Sequence, residues 1–129
     1  MNARQKLSYF ALGLILLGTC GCGGGSSPAV VAEPEQAKTA LTTVLDAWKK
    51  GEPYDAPTKL SPPIKVADED WLTGVKLVEY RIETGDVMVG SSLRCPVLLT
   101  LTDKTGKTKK RQAVYNVNTN PVLSVVRQD

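Results

Sequence analysis

Ser91-Ser92-Leu93-Arg94-Cys95-Pro96-Val97-Leu98-Leu99-Thr100-Leu101-Thr102, followed by Asp103-Lys104-Thr105-Gly106-Lys107 and then by Thr108 to Asn118, reads as a long β-hairpin. In the first arm Leu93, Cys95, Val97, Leu99 and Leu101 alternate with Arg94, Leu98, Thr100 and Thr102. In the second, Ala113, Tyr115 and Val117 alternate with Gln112, Val114 and Asn116. A period of two is the mark of strands with one buried face. Gly106 can take the positive φ that a tight hairpin turn requires. Pro96 cannot donate to a ladder, so it marks a bulge or an edge, and a bulge would curve the sheet.

The reading extends outward in both directions. Asn118-Thr119-Asn120-Pro121 is a second turn, and Val122 to Arg127 is a closing strand. Upstream, Val75 to Thr84 is a strand with Val78, Tyr80 and Ile82 on one face and Glu79, Arg81 and Glu83 on the other. Asp68 to Gly74 reads as one helical turn, capped by Asp68 and ended by Gly74. Asp68, Glu69 and Asp70 invite a cation-site reading, but a calcium loop needs alternating ligands, a tight glycine turn and a distal Glu. Capping and solvation are expected instead. Glu52 to Val66 carries Pro53, Pro57, Pro62 and Pro63 and is expected to be an extended connector with a turn near Asp55.

Glu35 to Lys50 is predicted to be a helix. Ala37, Ala40, Leu41, Val44, Leu45 and Trp48 form one apolar stripe at helical spacing. Pro34 suits the first turn, Lys49 and Lys50 suit the negative end of the helix dipole, and Gly51 suits a left-handed cap. The expected fold is therefore α+β: one N-terminal amphipathic helix packed on a curved four-stranded antiparallel sheet, with Trp48 and Trp71 as core anchors. A helix followed by four strands with short connections resembles the cystatin-like and NTF2-like architectures over about Glu35 to Arg127. That likeness transfers no function by itself. Cystatin inhibitors carry Gln-x-Val-x-Gly between the first two strands after the helix. Here the stretch is Asp86-Val87-Met88-Val89-Gly90, which keeps the glycine alone, and Pro121 is followed by Val122 where cystatins have Trp.

The first residues address location. Arg4 and Lys6 precede Leu7–Thr19, an uncharged and mostly apolar run, and then Cys20-Gly21-Cys22-Gly23-Gly24-Gly25. The run is shorter than the roughly 20 apolar residues that span a bilayer and has the length of a signal-peptide core. It resembles the signal peptide of bacterial lipoproteins. The resemblance implies a signal peptide over 1–21, cleavage before Cys22 and lipidation of Cys22, with Cys20 as the alternative. Residues 22–33 would then be a Gly/Ser-rich tether and 34–129 a single domain. Two or three acyl chains anchor stably where one does not. By the same likeness, Gly23 in place of Asp implies the outer membrane, facing the periplasm. Cys95 would be left as a lone small core residue.

Composition narrows the chemistry. The chain has 16 basic and 13 acidic residues and no histidine. Removing Arg4 and Lys6 with a signal would lower the net charge from +3 to +1, so bulk charge predicts no polyanion partner. Without histidine, Ser-His-Asp and Cys-His systems are excluded, as are histidine-ligated metal sites. Gly106-Lys107-Thr108 ends like a phosphate-binding loop, but Leu101 stands where its first glycine belongs. Lys104, Lys107, Lys109, Lys110 and Arg111 form a dense basic cluster. A solvated hairpin tip explains it, and contact with an anionic membrane surface is the functional alternative.

The expectation is a non-enzymatic, lipid-anchored protein of the bacterial cell envelope. It has no cofactor, metal or nucleic-acid partner, and its contacts are the membrane and an envelope protein. The alternatives are a small-ligand binder or enzyme with a pocket between helix and sheet, and a cystatin-like protease inhibitor.

Overall fold

The computed structural model describes residues 33–129. The expected signal peptide, Cys20, Cys22 and the tether up to residue 32 lie outside the described residues.

Helix α1 (Pro34–Lys49) forms where the apolar stripe places it. Pro34 opens it, where its missing N–H costs no hydrogen bond, and Gly51 follows its end at φ 82°. Every residue of the stripe is buried, together with Ala47. A 3-10 turn (Ala56–Lys59), strand β1 (Ile64–Ala67) and the one-turn helix α2 (Glu69–Leu72) come next. Strands β2 (Lys76–Ile82), β3 (Val87–Val89), β4 (Ser92–Thr102), β5 (Thr108–Asn118) and β6 (Leu123–Arg127) complete the domain.

The strands make one curled, half-barrel sheet in the order β1-β6-β5-β4-β2. Strand β3 pairs with β4 on the same edge as β2, further along. β4 and β5 are in continuous register from Ser92↔Asn118 to Thr102↔Thr108, with the faces the alternation predicts. Helix α1 lies across the core side of the sheet, against β1, β2, β5 and β6. Trp48 and Trp71 are buried and stacked, with ring centroids 5.8 Å apart, and Tyr54 meets Trp71 edge-on at 5.5 Å. Each indole N–H is satisfied by a backbone carbonyl, Trp48 by Val75 at 2.9 Å and Trp71 by Glu52 at 3.2 Å. The first bond fastens α1 to the entry of β2, and the second fastens α2 to the start of the connector.

The architecture departs from the expectation of one N-terminal helix on four antiparallel strands. The sheet has six strands and is mixed, and α1 begins at Pro34 rather than at the start of the chain. The added strand β1 lies inside the segment read as an extended connector. It pairs in parallel with β6, Ile64 opposite Leu123 and Val66 opposite Val125. Ile64 and Val66 turn inward while Lys65 and Ala67 face out, so a four-residue stretch can cover the free edge of β6.

Strand β2 also differs in phase. The register shifts between Leu77, opposite Leu101, and Glu79, opposite Thr100. Val78 is therefore the extra residue of a bulge. Leu77 is buried, whereas Val78 is half exposed. Pro96 makes no bulge. Its carbonyl accepts the Glu83 N–H at 2.9 Å, at the point where the partner of β4 changes from β2 to β3. The missing proline N–H thus falls in a gap between strands, a local edge. Val87–Val89, read as part of a loop, is strand β3.

Candidate functional site

Parallel pairing of β1 with β6 sets Ala67 opposite Val126, which brings the next residues, Asp68 and Arg127, together at one end of the sheet. Arg127 is in phase with Leu123 and Val125, so it projects to the core side. Tyr115 is its cross-strand partner on β5. Asp68 caps α2, accepting from the N–H groups of Asp70 at 3.0 Å and Trp71 at 3.3 Å, which satisfies donors that the helix start leaves open. Its other oxygen accepts from the Tyr115 hydroxyl. Capping is as expected, but solvation is not, because Asp68 is only 4% exposed.

Arg127 holds three carboxylates. Its Nη1 donates to Asp68 at 3.2 Å and to Asp70 at 2.6 Å, and its Nε donates to Asp129 at 2.8 Å. Burial works against its charge, but the hydrogen bonds to Asp129 and Asp70 outweigh that, so its pKa is raised. Burial likewise opposes the Asp129 charge, yet Arg127 and then Arg111 hold its pKa below the usual carboxylate value. For the Tyr115 phenol, burial and the neighbouring Asp68 push the pKa well up, so it is a donor and not a base. Tyr54 completes the wall, donating to the Val66 carbonyl at 2.8 Å and accepting the Asp68 N–H at 3.3 Å.

A cleft of about 580 Å³ opens beside this network, lined by Tyr54, Asp68, Asp70, Leu72, Arg111 and Arg127 among others. It lies at the α2–β6 edge of the fold and not between α1 and the sheet. Its charged groups are committed to one another, which is how a buried ion pair is tolerated at all. Among the described residues, no group of three acidic or thiol side chains could hold a metal ion.

The basic cluster is split by the strand geometry. Lys104 and Lys107 sit in the β4–β5 turn, where Asp103 Oδ1 accepts from the Thr105 and Lys107 N–H groups at 2.8 and 3.0 Å. Lys110 projects from the outer face of β5, whereas Lys109 and Arg111 share the phase of Ala113 and Tyr115. Arg111 belongs to the ion-pair network, 3.2 Å from Asp129 and 3.6 Å from Asp70. Lys104, Lys107, Lys109 and Lys110 are exposed and make no ion pair among the described residues.

Arg127 and Asp129 were not identified from the sequence as site residues. The alternation of β6 carries the signal for Arg127, since a charge in phase with Leu123 and Val125 must find a buried partner. Among the described residues, no helix is long and apolar enough to cross a membrane. Compared with known proteins, the chain matches no family model, no curated protein and no solved structure.

Proposed function

We propose that the chain is a lipid-anchored protein of the bacterial cell envelope, tethered through Cys22, whose α+β domain serves in binding and not in catalysis. The N-terminal pattern of Arg4, Lys6, the Leu7–Thr19 run and Cys22 supports the anchor and an outer-membrane, periplasm-facing location. The observation that carries the binding reading is the filled space between α1 and the sheet, where Leu41, Leu45, Leu99 and Tyr115 are fully buried. An NTF2-like enzyme would keep its pocket there, so the likeness to cystatin-like and NTF2-like folds is one of architecture. Cys22→Ser is expected to release the protein from the membrane fraction. Release by Cys20→Ser alone would move the anchor to Cys20, and release by neither would end the lipoprotein reading. Crosslinking and pulldown from the native envelope tests the binding role, and recovery of no envelope protein would count against it.

A second reading, small-ligand binding, rests on the cleft beside Asp70 and Arg111, both partly exposed. Arg111 could exchange Asp129 for an anionic ligand. Arg111→Gln should then abolish any thermal stabilisation by small carboxylates, and a wild-type chain that no carboxylate stabilises would rule this reading out.

A further inference from the structure

Two ends of the domain differ sharply in character. At one end lie the Gly90–Ser91 turn, strand β3 and the β5–β6 loop. Residues Val87 to Leu93 carry no charge, nor do residues Gln112 to Val126. Val87, Met88, Val89 and Val122 are all between 39% and 50% exposed. Of the flanking charges, Asp86 pairs with Lys38 at 3.4 Å, and Arg94, opposite Val87 on β4, is exposed at the rim of the patch. At the other end, the β4–β5 turn presents Lys104, Lys107, Lys109 and Lys110 to solvent. Strand β4 runs from one end to the other over 11 residues, about 33 Å at strand rise.

Glu33, the first described residue, lies at this end. The Glu33 N–H donates to Thr119 Oγ1 at 3.2 Å, in the β5–β6 loop. Asn118, next to Thr119, aligns across the sheet with Ser92, whose partner on β3 is Val89. Ten residues lie between Cys22 and Glu33. The covalent span from Cys22 to Glu33 is at most about 40 Å. A lipid on Cys22 therefore holds this end within that span of the bilayer, while the lysine turn lies a strand length from this end.

We infer that the end formed by Val87, Met88, Val89 and Val122 seats against the lipid bilayer, in the headgroup and upper acyl region. This deepens the lipid-anchor reading and rests on it. The apolar side chains of Val87, Met88, Val89 and Val122 gain from contact with acyl chains, while Arg94 at the rim suits the headgroup level. The four lysines are then turned away from the anchoring membrane, which reverses the role that composition suggests for them.

The test uses the full chain, lipidated in a bacterial host and reconstituted into vesicles of phosphatidylethanolamine and phosphatidylglycerol. Nitroxide labels are placed at Met88→Cys or Lys107→Cys, both exposed positions, so folding is preserved. The Met88 label should be shielded several-fold from an aqueous nickel chelate and accessible to oxygen, and the Lys107 label should behave in the opposite way. Equal exposure of both labels, or shielding of Lys107 alone, overturns the inference. Shielding of Met88 that grows with the protein-to-lipid ratio marks a second copy on β3 and also overturns it. The mass of the N-terminal peptide separates the two levels: an acylated Cys22 with an exposed Met88 label sinks this inference only, and a chain without acyl groups sinks both.

Discussion

Tyr115 on β5 donates its hydroxyl to Asp68 Oδ2 at 2.5 Å, and both residues are buried. One carboxylate thereby ties together the cap of α2, the centre of β5 and, through Arg127, strand β6. Removing it leaves a buried guanidinium short of a partner and a buried hydroxyl without an acceptor. Asp68→Ala should destabilise the domain by about 3–5 kcal/mol, the usual cost of breaking a buried pair from one side. Asp68→Asn keeps the cap acceptor and should cost less. Urea denaturation of both variants measures this, and a loss under about 1 kcal/mol for Asp68→Ala would show the network to be dispensable.

The bulge in β2 makes a prediction opposite to that of simple alternation. Leu77→Ala should cost about 2–4 kcal/mol, as deletion of a buried leucine does. Val78→Ala should stay within about 0.5 kcal/mol, as at most exposed positions. Equal losses at the two sites would mean that β2 pairs without the extra residue.

Tyr80 supplies a pH signature. Burial, followed by its 2.6 Å hydrogen bond to Asp46 on α1, pushes its phenol up from 10.0 to about 12. The folded state thus holds this proton more tightly than the unfolded state. The stabilisation is complete below pH 10 and is lost as pH rises toward about 12. Stability from denaturation curves should fall across that window, and Tyr80→Phe should flatten the fall while costing about 1 kcal/mol at neutral pH. An unchanged slope in the variant would assign the alkaline loss to other groups.

Cys95 should be inert in the folded domain. It is fully buried, and burial, with Asp86 adding to it, pushes its thiol up. In a chain carrying Cys20→Ser and Cys22→Ser, a thiol reagent should react only as fast as the domain opens. Rapid labelling under native conditions would contradict that burial.

The parts of this fold that could be read ahead of the structure are those whose signal is local and repeated. The stripe of α1 runs from Ala37 to Trp48, and alternation is sustained over all 11 residues of β4 and from Gln112 to Asn118 in β5. β1 could not be read that way, because four residues after Pro62-Pro63 carry only one full alternation and their partner is Leu123–Val126. The bulge at Val78 depends on how β2 meets Leu101 and Thr100, which no single strand encodes. At the ion-pair network the cap role of Asp68 was legible from its neighbours. Its burial was not, because Tyr115 and Arg127 lie 47 and 59 residues away. Arg111 was grouped with the lysines because it follows them in sequence, although strand phase sends it to Asp70 and Asp129.

Strand β6 slots between β1 and β5, although some 55 residues separate it from β1. During synthesis β1 therefore has no lateral neighbour until Leu123–Arg127 has been made, and Asp68 waits for Arg127 in the same way. Contacts of such long sequence separation form late. Leu123–Arg127 is thus the latch of the domain, closing both the sheet edge at β1 and the buried carboxylate of Asp68.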